Sequence, residues 1–330
     1  MSPFDDLRRH YVNLAQPRLG AEVTYATDDF FADKARLIEP AEPVFIPGKY
    51  DDNGKWMDGW ESRRKRTPGH DWCVVRLGVP GLVAGFEIDT RHFTGNYPPG
   101  AELEVCRSDA AVPGDDAAWT TVTPRLALKG DDRIYVPVEH DGPVTHVRLH
   151  IFPDGGVARL RVWGRVAKDW SAVDPDARLD LLAMENGGRG IIANDEHYGC
   201  VENLTAPGHG VNMGDGWETR RRREPGHDWA VLELGASGRI EEVVIDTAHF
   251  KGNYPDRCFI QASDAACPPD EIGRLSEGWP VLLGESKLEA DKVHVFRDGL
   301  ADLGPVRFVR LNIIPDGGVS RLRLIGRVAQ

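Results

Sequence analysis

The sequence predicts an all-β protein: two tandem homologous β-sandwich domains of the jelly-roll kind. Three observations lead there. Blocks of sequence recur in order at nearly constant spacing, short stretches alternate apolar and polar residues, and Gly/Pro turns separate them with little helical patterning. At 330 residues the chain has room for two domains of roughly 150 residues, each able to bury a core. A hydrophobic share of 41% against 28% charged excludes a mostly disordered chain.

The duplication is explicit. Residues 58–72 read DGWESRRKRTPGHDW and residues 215–229 read DGWETRRRREPGHDW, differing only at 62, 65 and 67. At the same offset FEIDTRHFTGNYP (86–98) meets VVIDTAHFKGNYP (243–255), and later RLHIFPDGGVARLRVWGRV (148–166) meets RLNIIPDGGVSRLRLIGRV (310–328). A weaker match sets Ala26–Asp29 beside Ala193–Glu196. Four blocks in one order place the domains at 1–170 and 171–330, joined by the polar stretch from Lys168 to Asp176.

Each copy reads as strands. From Thr145 to Ile151 apolar and polar residues alternate, and 158–166 does the same with Leu160 and Val162 on one face and Arg159 and Arg161 on the other. Pro153-Asp154-Gly155-Gly156 is the turn between them. Trp72–Gly78 and Trp229–Gly235 form a further matched pair of strands. The best helical stretch is 175–184, with Asp174 as N-cap and Pro175 at the first helical position.

Charge and cysteine usage narrow the function. A net charge of −12 repels phosphate backbones, so nucleic acid is not an expected partner. No run of about 18 apolar residues offers a membrane span. The first residues lack the apolar core of a secretory signal, and five cysteines form no shared pattern between the copies. A reducing cytoplasmic location is the expectation. Exposed sandwich edges make a homo-oligomer expected.

The repeated blocks carry more chemistry than a core requires. Glu61 stands beside the cations Arg63, Arg64, Lys65 and Arg66, and Pro68-Gly69 leads through His70 and Asp71 into a strand. Arginine's planar fork holds a carboxylate bidentately, and alternation lets at most two of the four cations converge on one ligand. The competing reading is a solvated strand with its charges paired to Glu61 and Asp71. His70, Asp71 and His92 can move protons near neutral pH, as can their counterparts His227, Asp228 and His249, with Glu218 matching Glu61. Asn96 and Tyr97, repeated as Asn253 and Tyr254, suit an amide-like ligand. Trp60, Trp72, Trp217 and Trp229 fit core or turn anchors. No zinc spacing, Walker loop, dinucleotide fingerprint or nucleophile elbow is present. No cofactor is firmly implied; clustered His and carboxylates leave a divalent metal open, though no spacing demands one.

At these blocks the sequence resembles the allantoicases. The resemblance rests on DGWE-S/T-RRxRxPGHDW at 58–72 and 215–229, IDTxHFxGNYP at 88–98 and 245–255, and PDGGVxRLR at 153–161 and 315–323, and it covers nearly the whole chain. Ser62 stands where Thr219 carries the form associated with the family; the hydroxyl is kept. The resemblance implies two galactose-binding-like jelly rolls and hydrolysis of allantoate to ureidoglycolate and urea. That carbon bears two ureido groups, so one can leave as urea while the other donates electrons, giving an N-acyliminium ion that water captures. The step calls for a cation to seat the carboxylate (Arg63 or Arg66; Arg220 or Arg223 in the second copy). It also calls for an acid and a base (His70 or His92 with Glu61 or Asp71) and an amide partner (Asn96). Arg91 against Ala248, Thr94 against Lys251 and His150 against Asn312 make the copies unequal. The first copy also spends 18 steps between Pro40 and Asp58 where the second spends 8 between Pro207 and Asp215. The first copy, or the boundary between the two, is therefore favoured as the active one. The alternative class is a tandem carbohydrate-binding module without catalysis; a purely structural role is a third.

Overall fold

The computed structural model describes residue 7 and residues 9–329. They divide into two compact units: Tyr11–Ala167, and Lys168 onward, which His10 and Arg9 join. The Arg9 carbonyl, for instance, accepts from Arg189 Nη1.

In each unit one long strand belongs to both layers of a jelly-roll sandwich. In the first it is Asp71–Asp89. Its first half pairs with Glu22–Ala26 and with Val144–Phe152, which in turn pairs with Gly100–Cys106. Its second half pairs with Arg133–Pro137 and Arg159–Val166. Both Val144 and Val166 lie opposite Gly81, where the strand passes from one sheet to the other. In the second unit Asp228–Asp246 does the same, with Gly238 opposite Val306 and Val328. All these pairings are antiparallel.

Period-two alternation fills the space between the layers. Leu103 and Val105, Val147, Leu149 and Ile151, Leu160 and Val162, and Cys73, Val75 and Leu77 project into one core. Leu232 and Leu234, Ile260 and Ala262, Val309, Leu311 and Ile313, and Leu322 and Leu324 repeat the arrangement. Each Leu, Ile or Val among them, fully buried, contributes roughly 1.5–3 kcal/mol.

Two expectations are corrected. The stretch 175–184 forms no helix: Ala177 closes one turn on the Asp174 carbonyl, and Leu179–Asp180 then pairs with Ile325 and Gly326 as an edge strand. Strand pairing and the burial of Leu181 and Leu182 override the capping signal. The polar faces of the alternating strands are also covered rather than solvated. Arg148, His150, Arg159 and Arg161 are all buried: Glu104 on the adjacent strand holds His150 and Arg148, and loops that fold over the sheet bring Asp115 to Arg148, Asp58 to Arg159 and Glu42 to Arg161.

The repeated glycines have a packing reason. A Cβ on Gly156 would stand 2.0 Å from the Phe93 ring, and one on Gly318 would stand 2.0 Å from Phe250. Replacing Phe93, fully buried against this turn, with Ala should lower the stability of its unit by about 3–5 kcal/mol, read as a fall in its denaturant midpoint.

Candidate active site

Six residues, 153–158, connect Val144–Phe152 to Arg159–Val166 and so bridge the two ends of the long strand. The Asp71 amide donates to the Pro153 carbonyl at 3.0 Å, and the Ala158 amide to the Asp89 carbonyl at 2.8 Å. Both strand ends thus lie on one rim of the sandwich, and the three repeated blocks meet there.

Specific contacts lock the blocks together. Asn96 Nδ2 donates to Glu61 Oε1 at 2.7 Å, and the Gly156 amide donates to the Asn96 carbonyl at 2.7 Å. The Lys65 amide donates to Asp154 Oδ2 at 2.7 Å. Buried Arg159 pairs with Asp58 at 2.9 Å. Glu61 is half-buried; burial pushes its carboxyl above the usual range, opposed only in part by the Asn96 hydrogen bond and by Lys55.

Several expected site residues are engaged in holding the rim. Arg63 grips Asp28 through its amide at 3.0 Å and Nε at 2.6 Å. Asp71 is 1% exposed and accepts from Lys65 Nζ at 2.5 Å and Thr27 Oγ1 at 2.8 Å. His92 turns its Nε2 to the Pro43 carbonyl at 3.1 Å, and its amide donates to Asp131 at 2.9 Å, which ties down the loop before Asp58. Tyr97 packs among Met57, Phe93 and Ala158. Arg66 is exposed and forms no ion pair among the described residues.

The second unit reproduces these contacts. Arg220 grips Asp195 at 2.8 Å, Arg222 pairs with Asp228 at 2.5 Å, and Glu218 accepts from Asn253. His249 Nε2 meets the Gly210 carbonyl at 2.7 Å. Tyr254 is half-buried and Arg223 exposed. A polar cavity of about 350 Å³ lies among Asn194, Asp195, Arg220, Arg222, Arg223 and Asp228. Glu218, His227 and His249 do not line it.

His70 has different company. Its Nε2 lies 2.9 Å from His150 Nδ1, and His150 Nε2 lies 2.8 Å from Glu104 Oε2. Arg148 donates to the same oxygen from Nη2 at 2.6 Å and holds Asp115 at 2.7 Å. The His70 ring rests 4.3 Å from Phe152, whose other neighbour is the Arg125 guanidinium 3.5 Å from the ring centre. Gly69, Pro99, Gly100, Arg125, Leu126, Ala127, Phe152 and Pro153 line a groove of about 600 Å³ that His70 adjoins through Phe152 without lining it, and Glu61 and Asn96 do not line it either. Burial lowers the His70 pKa, helped by His150, Arg125 and Lys65 and opposed by Asp71. Burial pushes Glu104 up, but hydrogen bonds from His150 and Arg148 outweigh it and hold the carboxyl below its ordinary value.

Sequence reasoning did not select Glu104, Arg125 or Arg148, and noted His150 only as a difference from Asn312. Their partners come from strands and loops far apart in the chain. One signal was legible: Glu104 aligns with Gln261 at the 157-residue offset. Among the described residues no three His, Cys, Asp or Glu side chains converge as a metal would require.

Comparison with known proteins agrees with this architecture. The allantoicase repeat family matches residues 12–167 and 179–329, one match per unit. The chain belongs to the allantoicase family. It is 56% identical over 322 residues to Probable allantoicase 2 of Burkholderia pseudomallei, covering 97% of this chain and 96% of that protein. With Probable allantoicase of Ralstonia nicotianae the identity is 51% over the same shares. The crystal structure of allantoicase from Saccharomyces cerevisiae superposes with a TM-score of 0.82 at 33% identity, covering 99% of this chain and 98% of that one. Each allantoicase repeat therefore contributes one sandwich and one rim.

The His70 environment gives a direct expectation. In an NMR titration His70 should protonate below the ordinary histidine value of 6.5, and Arg125→Gln should raise its pKa by removing one of the facing cations.

Proposed function

We infer that the protein hydrolyses allantoate, with water, to ureidoglycolate and urea, as a hydrolase of carbon–nitrogen bonds in linear amidines. Membership of the allantoicase family over almost the whole chain carries this reading. The rim supplies groups that the reaction calls for.

The substrate is a small carboxylate with two ureido arms. Of the two arginines expected to seat the carboxylate, Arg63 is committed to Asp28 and Arg66 stands unengaged among the described residues, as does Arg223 in the second unit. Asn96 gives one amide hydrogen to Glu61 and presents its side-chain oxygen to accept from a ureido NH₂. Tyr97 backs it from the half-buried side. Glu61, raised in pKa by burial, suits the role of a proton donor to a departing nitrogen.

His70 fits the base. It is neutral above its lowered pKa and takes the N–H proton of the retained ureido group. That nitrogen's electron pair forms C=N while the other C–N bond breaks, the bonding pair leaving with the departing nitrogen. That nitrogen takes a proton and leaves as urea. Water then adds to the C=N carbon and gives its proton to the Glu61 carboxylate, while the protonated His70 returns its proton to the retained nitrogen as the C=N pair goes back to it, which restores both groups. Atoms and charge balance, and the carboxylate is untouched throughout. Asp71 and His92 support this geometry by fixing the loops on either side.

The five cysteines all stand as free thiols, as in a reducing compartment, and cytoplasmic residence is the location they support. No described helix is long and apolar enough to cross a membrane. Self-association through sheet edges completes the proposal and is read by sedimentation.

Incubation with allantoate should release urea and ureidoglycolate in equal amounts. His70→Ala should lower kcat/KM by about 10²–10⁴-fold, the usual worth of an acid–base group. Turnover unchanged by His70→Ala would remove that histidine from the mechanism.

A further inference from the structure

We propose that the groove beside His70 in the unit Tyr11–Ala167, rather than its counterpart in the second unit, is the hydrolytic site, with Arg125 binding the substrate carboxylate and His150 and Glu104 acting as positioning residues that share the proton His70 accepts. This deepens the allantoate reading above and rests on it.

The hydrogen-bond sequence fixes a direction. Glu104 accepts from His150 Nε2 at 2.8 Å, so in the neutral ring His150 Nδ1 is an acceptor. His70 Nε2 then donates to it at 2.9 Å. His70 Nδ1 keeps its lone pair and has no protein partner among the described residues. When that nitrogen takes a proton, the positive charge spreads through Nε2 to His150 and faces the Glu104 carboxylate. Arg148 fixes the carboxylate from two nitrogens and is itself held by Asp115 and stacked 4.4 Å from the Trp119 ring. The charged groups facing His70 are His150, Arg125, Lys65 and Asp71.

The second unit keeps the hydrogen-bond path and loses its charged end. His227 Nε2 meets Asn312 Oδ1 at 3.0 Å, and Asn312 Nδ2 donates to Gln261 Oε1 at 3.1 Å. Asn312 replaces His150 and Gln261 replaces Glu104, so no anion stands behind the imidazole. Arg310, the counterpart of Arg148, donates to Asn312 at 2.9 Å. The groove diverges in the same direction. Gly100 pairs with Ala127 and Ala101 with Leu126, while Arg257 pairs with Lys287 and Cys258 with Ser286. That register puts Glu285 where the first unit has Arg125. Glu285 there is paired with Arg257, which replaces Gly100, at 2.5 Å, so the cation at this position is committed to a carboxylate, and Ile314 replaces Phe152 beside it. The coupled pair 104 and 150, together with 125, thus separates a groove with an arginine in its lining and a carboxylate behind its imidazole from one whose arginine is paired and whose imidazole faces amides.

The test uses the full-length protein and allantoate. Glu104→Gln and His150→Asn each install the residue the second unit already accommodates, and circular dichroism checks their fold. Each should lower kcat about 30- to 100-fold with KM within about threefold, the scale of a lost second-layer partner. Glu104→Gln should also move the acid limb of kcat/KM to lower pH, since the protonated histidine pair loses its counter-ion. Arg125→Gln should do the opposite, raising KM more than it lowers kcat. If wild-type protein releases no urea, the allantoate reading itself fails. If wild type is active and both Glu104→Gln and His150→Asn stay within twofold with unmoved pH profiles, the relay and the assignment to the first unit are overturned. Should one variant not fold, the other decides alone. The NMR titration of His70 in that variant adds a readout independent of turnover: a pKa equal to wild type overturns the relay.

Discussion

Everything at the rim depends on one backbone device: a strand of 19 residues that serves two sheets. Because Asp71–Asp89 crosses from one layer to the other at Gly81, its ends return to the same side of the sandwich, and the six-residue turn 153–158 closes them together. Residues far apart in sequence are thereby brought within hydrogen-bond reach. Glu61 meets Asn96, Asp58 meets Arg159, and His70 meets His150. A straight strand of that length would put Asp71 and Asp89 roughly 60 Å apart, at about 3.3 Å per residue, and no such site could form.

The contacts that the two repeats share and those they do not share have different meanings. Arg63–Asp28 and Arg220–Asp195, Lys65–Asp71 and Arg222–Asp228, Glu61–Asn96 and Glu218–Asn253, and Arg159–Asp58 and Arg321–Asp215 are the same structural ties made twice. Much of the near-identity of the motifs is explained by the needs of folding a charged rim, where a buried ion left without its partner is strongly destabilising. The differences that bear on His70 fall at 104 and 125, between the motifs, and at 150, inside the last of them, and there the chemistry of the two units separates.

This explains what could be read from the chain. Alternation along 145–151 and 158–166, the duplication and the PDGG turn were legible, because strand periodicity and turn chemistry are local properties. What was not legible is tertiary. Asp28 neutralises Arg63 from an upstream loop 35 residues away, and the loop carrying Asp115 and Trp119 buries a strand face that alternation alone assigns to water. Glu104 joins His150 only through the pairing of Gly100–Cys106 with Val144–Phe152. At 175–184 a sound capping signal lost to strand pairing with residues near the far end of the chain.

The shared strand also constrains how the protein is made. On a ribosome Asp71–Asp89 emerges well before Arg159–Val166, the last partner of its second half. Until that segment clears the exit tunnel, the apolar face of the long strand has no complete layer to cover it. The partners of its first half end at Phe152 and those of its second half at Val166, so the second layer stays incomplete until nearly the whole domain has been made. The second copy repeats the same wait some 160 residues later.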